Sequence, residues 1–323
     1  MNKKTKIIFF GTPEFAVPAL QALLTEGYNF ILVITQTDKP TGRKQALTPS
    51  PVKLEAQRLG LTVVEKLGAK EILAGGQSAF VGKIFAPDLG IVVAYGKIIP
   101  QKILDLFPLG VLNIHPSLLP KYRGPAPIQN AILNGDAETG VSIMQLDDKM
   151  DHGPILTQEK YSLTGQETYP DLSDKLSEIG AKLLIKILPA YLENKIELKP
   201  QDDSQATVIK MIERDDGLLD FNKSALVLER QIRAYAPWPG CFAEFIVKGK
   251  KIVIKIITAR ADDVGARRGA PAPVDNQPAI GQFSFNNGQL LIQCGHGALV
   301  IKKLQPEGKK EITAEEFING YLK

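Results

Sequence analysis

In Val111-Leu112-Asn113-Ile114-His115-Pro116 an asparagine and a histidine stand two residues apart at the end of an apolar, β-branched run. Side chains at i and i+2 of a strand leave by the same face, and a following proline stops the hydrogen-bond ladder. Asn113 and His115 are therefore expected to face one crevice beyond the strand end. An imidazole exchanges protons near neutral pH, and a carboxamide beside it can donate to an oxygen on which negative charge develops. The pair suits a reaction that builds an oxyanion and moves a proton. A strand-end asparagine bonded to backbone beside a surface histidine would read the same way.

A base needs an orienting partner. The stretch Leu146-Asp147-Asp148-Lys149-Met150-Asp151-His152-Gly153-Pro154 follows another apolar run and offers three carboxylates. Any of them could pair with His115, hold its ring and favour its protonated form. Spacing does not choose among Asp147, Asp148 and Asp151, and a turn rich in Asp and Gly is ordinary in itself. His152 and His296 read as structural or exposed. With three histidines and two cysteines scattered along the chain, no metal-ligand spacing is present in the sequence.

The elements that must position these residues follow from periodicity. Residues 7–10, 30–35, 90–93 and 111–114 are β-branched or aromatic runs bounded by Gly, Pro or Asp, as buried parallel strands are. Between them, residues 18–24, 51–59 and 69–80 carry helical spacing or composition, with Pro18 and Pro51 suited to a first helical turn. Strand and helix in alternation imply an α/β fold with a doubly wound parallel sheet, which binds ligands outside the carboxyl ends of its strands. Residues 140–146 and 155–161 read as further strands, and 172–192 as a long amphipathic helix. The polar, aperiodic stretch after it is taken as a linker. This gives a catalytic domain over 1–193, a linker over 194–207 and a second domain over 208–323. In the latter, residues 241–247, 251–259, 281–285, 290–294 and 298–304 are short alternating strands split by Gly and Asn turns, a spacing that fits a small closed β-barrel. The Ala-, Pro- and Arg-rich interruption around Arg267 and Arg268 reads as a loop.

The chain has 323 residues, 44% hydrophobic and 23% charged, which excludes disordered and membrane-spanning classes. The apolar run at 7–10 is too short for a secretory leader, and Cys241 and Cys294 look like buried thiols of a reducing compartment, so a cytoplasmic location is expected. Net charge is +4, and residues 1–207 hold equal numbers of basic and acidic groups, so the excess lies in the last third. A basic domain beside a neutral one points to a polyanion such as nucleic acid, or to a solvated surface in which Lys outnumbers Glu.

Taken together, NIHPSLLPKYRGPAPIQNAI and the downstream GVSIMQLDDKMDHGPIL resemble the signature of the folate-dependent formyltransferases. The resemblance assigns the catalytic group to Asn113, His115 and Asp151. It assigns binding of 10-formyltetrahydrofolate to Ser117, Leu118, Leu119 and Pro120. Further segments, IIFFGTPEFAVPAL at the start, IRAYAPWPGCFAEF and LQPEGKKEITAEEFINGYL, are similar to the members whose acceptor is initiator methionyl-tRNA. Gly11 follows the first strand without a G-x-G-x-x-G pattern, so no dinucleotide site is expected there. The stretch TQTDKPTGRKQALTPSPVK resembles the loop that enters the tRNA acceptor stem in those members, and Arg43 matches its tRNA-contacting arginine. By the same resemblance the second domain is an oligonucleotide-binding (OB)-like β-barrel that takes tRNA by its phosphates, for which Lys248, Lys250, Lys251, Lys255 and Arg260 are available. Trp238 could stack on a base, although a tryptophan between prolines is more often a hydrophobic anchor. The implied enzyme is a monomer that needs reduced folate and methionyl-tRNA, no metal and no membrane. Rival readings are the same chemistry on a sugar-nucleotide amine or glycinamide ribonucleotide, release of formate by hydrolysis, and a non-catalytic RNA-binding protein.

Overall fold

The computed structural model describes residues 4–41, 46–65, 87–262, 279–286 and 288–322. The helix expected over 69–80 and the loop around Arg267 and Arg268 lie outside the described residues. The chain forms two compact units.

The first unit comprises Met1–Pro127, Glu138–Ser162 and Ser173–Lys210. Its strands are β1 (Lys6–Gly11), β2 (Asn29–Thr35), a small hairpin of β3 (Lys39–Thr41) and β4 (Ala46–Thr48), β5 (Val63–Glu65), β6 (Leu89–Val93), β7 (Val111–His115), β8 (Glu138–Gln145) and β9 (Ile155–Ser162). The main sheet has the order β5-β2-β1-β6-β7-β8-β9. All neighbours up to β7 are parallel, whereas β7 with β8 and β8 with β9 are antiparallel. The expected doubly wound sheet is present, with β7 at its parallel-to-antiparallel switch. Helix α1 (Val17–Thr25) has Pro18 in its first turn, α2 (Pro51–Arg58) begins at Pro51, and the Ser50 hydroxyl caps α2 by accepting from Lys53 N at 3.1 Å. A short α3 (Gln101–Leu104) follows β6. Ile8, Phe10, Ile34, Val92, Ile103 and Phe107 build a buried layer on one face of the sheet.

Two further helices are α4 (Pro127–Asn134) and α5 (Tyr169–Leu192). Ile114 points away from Asn113 and His115, towards Gly180 of α5. A Cβ at Gly180 would sit 2.6 Å from Ile114 Cγ2, so only glycine lets the helix lie this close to the strand. Residues 194–207 do not hang free. Lys199 exchanges two backbone hydrogen bonds with Ile155, and Arg123 N donates to Thr207 O at 2.8 Å, so the segment belongs to the first unit.

The second unit comprises Ile128–Ala137, Leu163–Leu172 and Met211–Lys323. It contains α6 (Ala225–Ala234), β10 (Cys241–Val247), β11 (Lys250–Asp262), β12 (Phe283–Asn286), β13 (Gln289–Gln293), β14 (Ala298–Pro306), β15 (Ile312–Thr313) and α7 (Ala314–Phe317). These strands form one antiparallel sheet, β10-β11-β14-β13-β12 with β15 beside β14, a half-barrel. Among the described residues no pairing joins β10 to β12, so the ladder is an open path where a closed one was expected. β11 runs for 13 residues and bends at register shifts around Thr258, which lets one strand serve much of the curve. Phe221, Phe245, Phe283, Phe317 and Tyr321 follow one another ring to ring with centroids 4.4–5.8 Å apart, Phe245 on Phe283 and Phe317 on Tyr321 stacked and the other pairs tilted.

Cys241 and Cys294 are both buried and free. Burial pushes the Cys241 thiol up to about 12 and the Cys294 thiol up to about 11, from an ordinary 9.0. In the unfolded chain both lose their protons near the ordinary value while the native state keeps them. Stability is therefore unaffected by these thiols below that pH and falls above it, by about 1 kcal/mol per thiol per pH unit. Denaturation midpoints should drop between pH 9 and pH 11, with a shallower drop in the Cys241→Ala, Cys294→Ala double variant. An unchanged slope in that variant contradicts the assignment.

Candidate active site

Asn113 and His115 close β7 with only 8% and 4% of their surface exposed. Across the antiparallel ladder His115 lies opposite Ser142 and Asn113 opposite Met144, while β6 pairing ends at Asn113. His115 thus reaches one step past its parallel neighbour, into the crevice at the strand ends.

Of the three aspartates left open by spacing, Asp151 is the one that meets the pair. Its Oδ1 lies 3.5 Å from Asn113 Nδ2 and 3.6 Å from His115 Nδ1, and its Oδ2 accepts from Gly124 N at 2.8 Å. Asp147 turns instead to His152 Nδ1 at 2.6 Å, and Asp148 is exposed. His115 Nε2 is 2.9 Å from the Tyr122 carbonyl. A carbonyl oxygen only accepts, so Nε2 carries a hydrogen and Nδ1 is the nitrogen turned to Asp151. The two distances to Oδ1 are longer than a tight hydrogen bond.

The turn after β7 is held from beneath. Ser142 Oγ donates to Ser117 O at 2.6 Å and accepts from Leu119 N at 3.0 Å and Gln158 Nε2 at 2.8 Å. Gln158 also donates to Leu119 O at 2.9 Å, and Ser117 Oγ donates to Lys121 O at 2.6 Å. Ser117, Leu118, Leu119 and Pro120 are thus fixed beside the site. Ser142 and Gln158 were missed in the sequence, where the one available signal was a serine inside the apolar run Val141-Ser142-Ile143-Met144. Gly124 was missed as well. Its φ is +120°, and a Cβ there would meet Ile209 O at 2.6 Å, so glycine alone lets its N–H reach Asp151.

The expected tRNA-contacting residues are more dispersed. Arg43 lies outside the described residues, and its flanks pair as β3 with β4. Lys53, near this hairpin, bonds Asp38 at 2.8 Å and also Glu65. Lys248 occupies the β10–β11 turn with φ +49°, ahead of Lys250. By strand alternation Lys251 and Lys255 share the face opposite to Lys250, and Lys251 is bonded to Glu244 at 2.7 Å. Arg260 is exposed further along β11. Trp238, expected as a hydrophobic anchor, is 58% exposed. No helix among the described residues is long and apolar enough to cross a membrane.

Residues 4–188 match the formyl transferase family and residues 211–322 match the formyl transferase C-terminal domain, which sets the class. A crystal structure of an N-formyltransferase from Helicobacter canadensis, in complex with folinic acid and dTDP-3-aminofucose, shares the fold. It has a TM-score of 0.64 at 18% identity, over 95% of this chain and 100% of that one. Sequence relatives are nearer. Methionyl-tRNA formyltransferase of Chloroflexus aggregans is 41% identical over 98% of this chain and 97% of its own, and that of Methylococcus capsulatus is 40% identical over 98% and 97%. The chain belongs to the methionyl-tRNA formyltransferase family.

The buried hydroxyl of Ser142 gives a direct test of how the turn is held. Ser142→Ala removes the partner of Leu119 N and Ser117 O, and each buried group left unpaired costs about 1–3 kcal/mol. The variant should show a denaturation midpoint several degrees lower. A midpoint equal to wild type would show that these bonds do not hold the turn.

Proposed function

We propose that the protein transfers the formyl group of 10-formyltetrahydrofolate to the α-amine of initiator methionyl-tRNA, acting as a cytoplasmic monomer. The observation that carries this reading is the meeting of Asn113, His115 and Asp151 at the end of β7, with Asp151 Oδ1 3.5 Å from Asn113 Nδ2 and 3.6 Å from His115 Nδ1. An amide donor beside an imidazole paired with a carboxylate suits a tetrahedral intermediate, whose oxyanion needs a donor and whose collapse needs a proton carrier.

The chemistry balances without any further reagent. The neutral amine attacks the formyl carbon, the C=O electron pair moves to oxygen, and a new C–N bond forms. Collapse returns that pair and breaks the bond to N10 of the folate. One proton leaves the attacking nitrogen and one is gained by N10. Asn113 stabilises the oxyanion, as does His115 once its Nδ1 has taken the proton lost by the attacking nitrogen, each donor contributing on the order of 3 kcal/mol. Asp151, fixed by Gly124 N, holds the Nδ1 side of the imidazole ready to carry a proton. Folate lies along Ser117, Leu118, Leu119 and Pro120. The acceptor stem is drawn in by Arg43, with the phosphates further along held by Lys248, Lys250, Lys251 and Lys255.

The decisive assay supplies 10-formyltetrahydrofolate with methionyl-tRNA, uncharged tRNA or free methionine. Formylated methionyl-tRNA alone is the expected product. Formate released without an acceptor, or product from a small amine, would replace the reading. In the same assay His115→Ala should lower kcat by about 100-fold or more while folate binding, followed by titration, stays within a few-fold of wild type. Near-normal kcat in that variant removes His115 from the mechanism.

A further inference from the structure

The segment after α5 meets the Asp151 loop through one side chain. Gln201 Nε2 donates to Asp151 O at 2.9 Å and to Gly153 O at 2.8 Å, while its Oε1 accepts from Arg123 Nε at 2.9 Å. Both amide hydrogens and the carbonyl of one carboxamide are therefore used. Arg123, 7% exposed, donates onward through its other arm to Asp203 Oδ1 at 2.8 Å. The backbone of Arg123 is clasped as well, its N–H donating to Thr207 O and its carbonyl accepting from Ile209 N at 2.9 Å. Tyr122 N, next to it, donates to Thr207 Oγ1 at 2.7 Å.

Both ends of this arrangement touch the site. The Tyr122–Gly124 turn holds His115 Nε2 through Tyr122 O and Asp151 Oδ2 through Gly124 N. Asp151 itself has φ +48°, a left-handed conformation that costs a non-glycine residue on the order of 1 kcal/mol. Its peptide carbonyl is one of the two that Gln201 grips. Gln201 thus joins the turn that anchors His115 to the loop that presents Asp151.

Resting on the formyl-transfer reading, we infer that Gln201 is a positioning residue for that reaction: its carboxamide, set by Arg123, holds the Asp151 backbone so that the carboxylate meets Asn113 and His115. It touches neither substrate. Its action passes through Asp151.

Two substitutions separate this role from simple bracing of the fold. Gln201→Ala removes all three bonds. Gln201→Glu keeps an acceptor for Arg123 and strengthens that tie by charge, yet it sets a carboxylate against the two carbonyl oxygens and has no hydrogen for either. A displaced catalytic group of this kind costs on the order of 10- to 100-fold in rate. Both variants are expected to lose kcat to that degree, with KM for 10-formyltetrahydrofolate and for methionyl-tRNA within about 3-fold of wild type. The pH profile of kcat should change shape in both, because the contact between Asp151 and His115 is altered. In both variants the loss of kcat should exceed any fraction of unfolded protein at the assay temperature.

Wild-type kcat in Gln201→Glu overturns the positioning role. So does a loss confined to KM, or a loss matched by the fraction of unfolded protein. If wild-type protein forms no formylated product with any acceptor, the functional reading fails and takes this one with it. An active wild type beside an unimpaired Gln201→Glu overturns only the role given to Gln201.

Discussion

The hydrogen bond from His115 Nε2 to the Tyr122 carbonyl is the constraint around which the site is built. It decides which nitrogen of the ring is turned to Asp151. To bring that carbonyl back over the strand end, the chain must turn sharply within seven residues. The turn requires a left-handed Tyr122 at φ +62° and a glycine at 124. It also requires the buried hydroxyl and carboxamide of Ser142 and Gln158, which pair opposite each other on β8 and β9. The antiparallel strands added at the end of a parallel sheet thus have a chemical task. They supply the Ser142 and Gln158 side chains that hold the turn.

The same logic explains the tight packing behind β7. A histidine whose partners lie 2.9 Å and 3.6 Å away on opposite sides tolerates little motion of its strand. Ile114, pressed against Gly180, anchors the other face of that strand. Sheet, helix and turn each remove one way for the ring to move.

Much of this was legible in sequence because it obeys simple periods. The runs at 7–10, 30–35, 90–93 and 111–114 became β1, β2, β6 and β7, and alternation put Asn113 and His115 on one face. Spacing left the choice among Asp147, Asp148 and Asp151 open and the resemblance alone named Asp151, the one whose carboxylate the fold brings to Asn113 and His115. The fate of residues 194–207 was not legible. Polar composition without period usually marks solvated chain, but here the polar groups of Gln201, Asp203 and Thr207 are spent on the turn and loop of the site. β5 is three residues long and α4 eight, too short for periodicity to show. The exposure of Trp238 follows from tertiary placement that no local pattern contains.

The interleaved membership of the two units bears on how the molecule is made. Residues 128–137 and 163–172 belong to the second unit although most of that unit follows residue 210. On the ribosome these two segments emerge long before most of the unit they belong to exists. Ile128, Ile132 and Leu172 are buried in the finished protein, so during synthesis they are apolar surface awaiting a partner. The nascent chain therefore passes through a stage in which its active-site strands are complete and sticky segments remain uncovered. That interval is where a chaperone, or an aggregate, would find it.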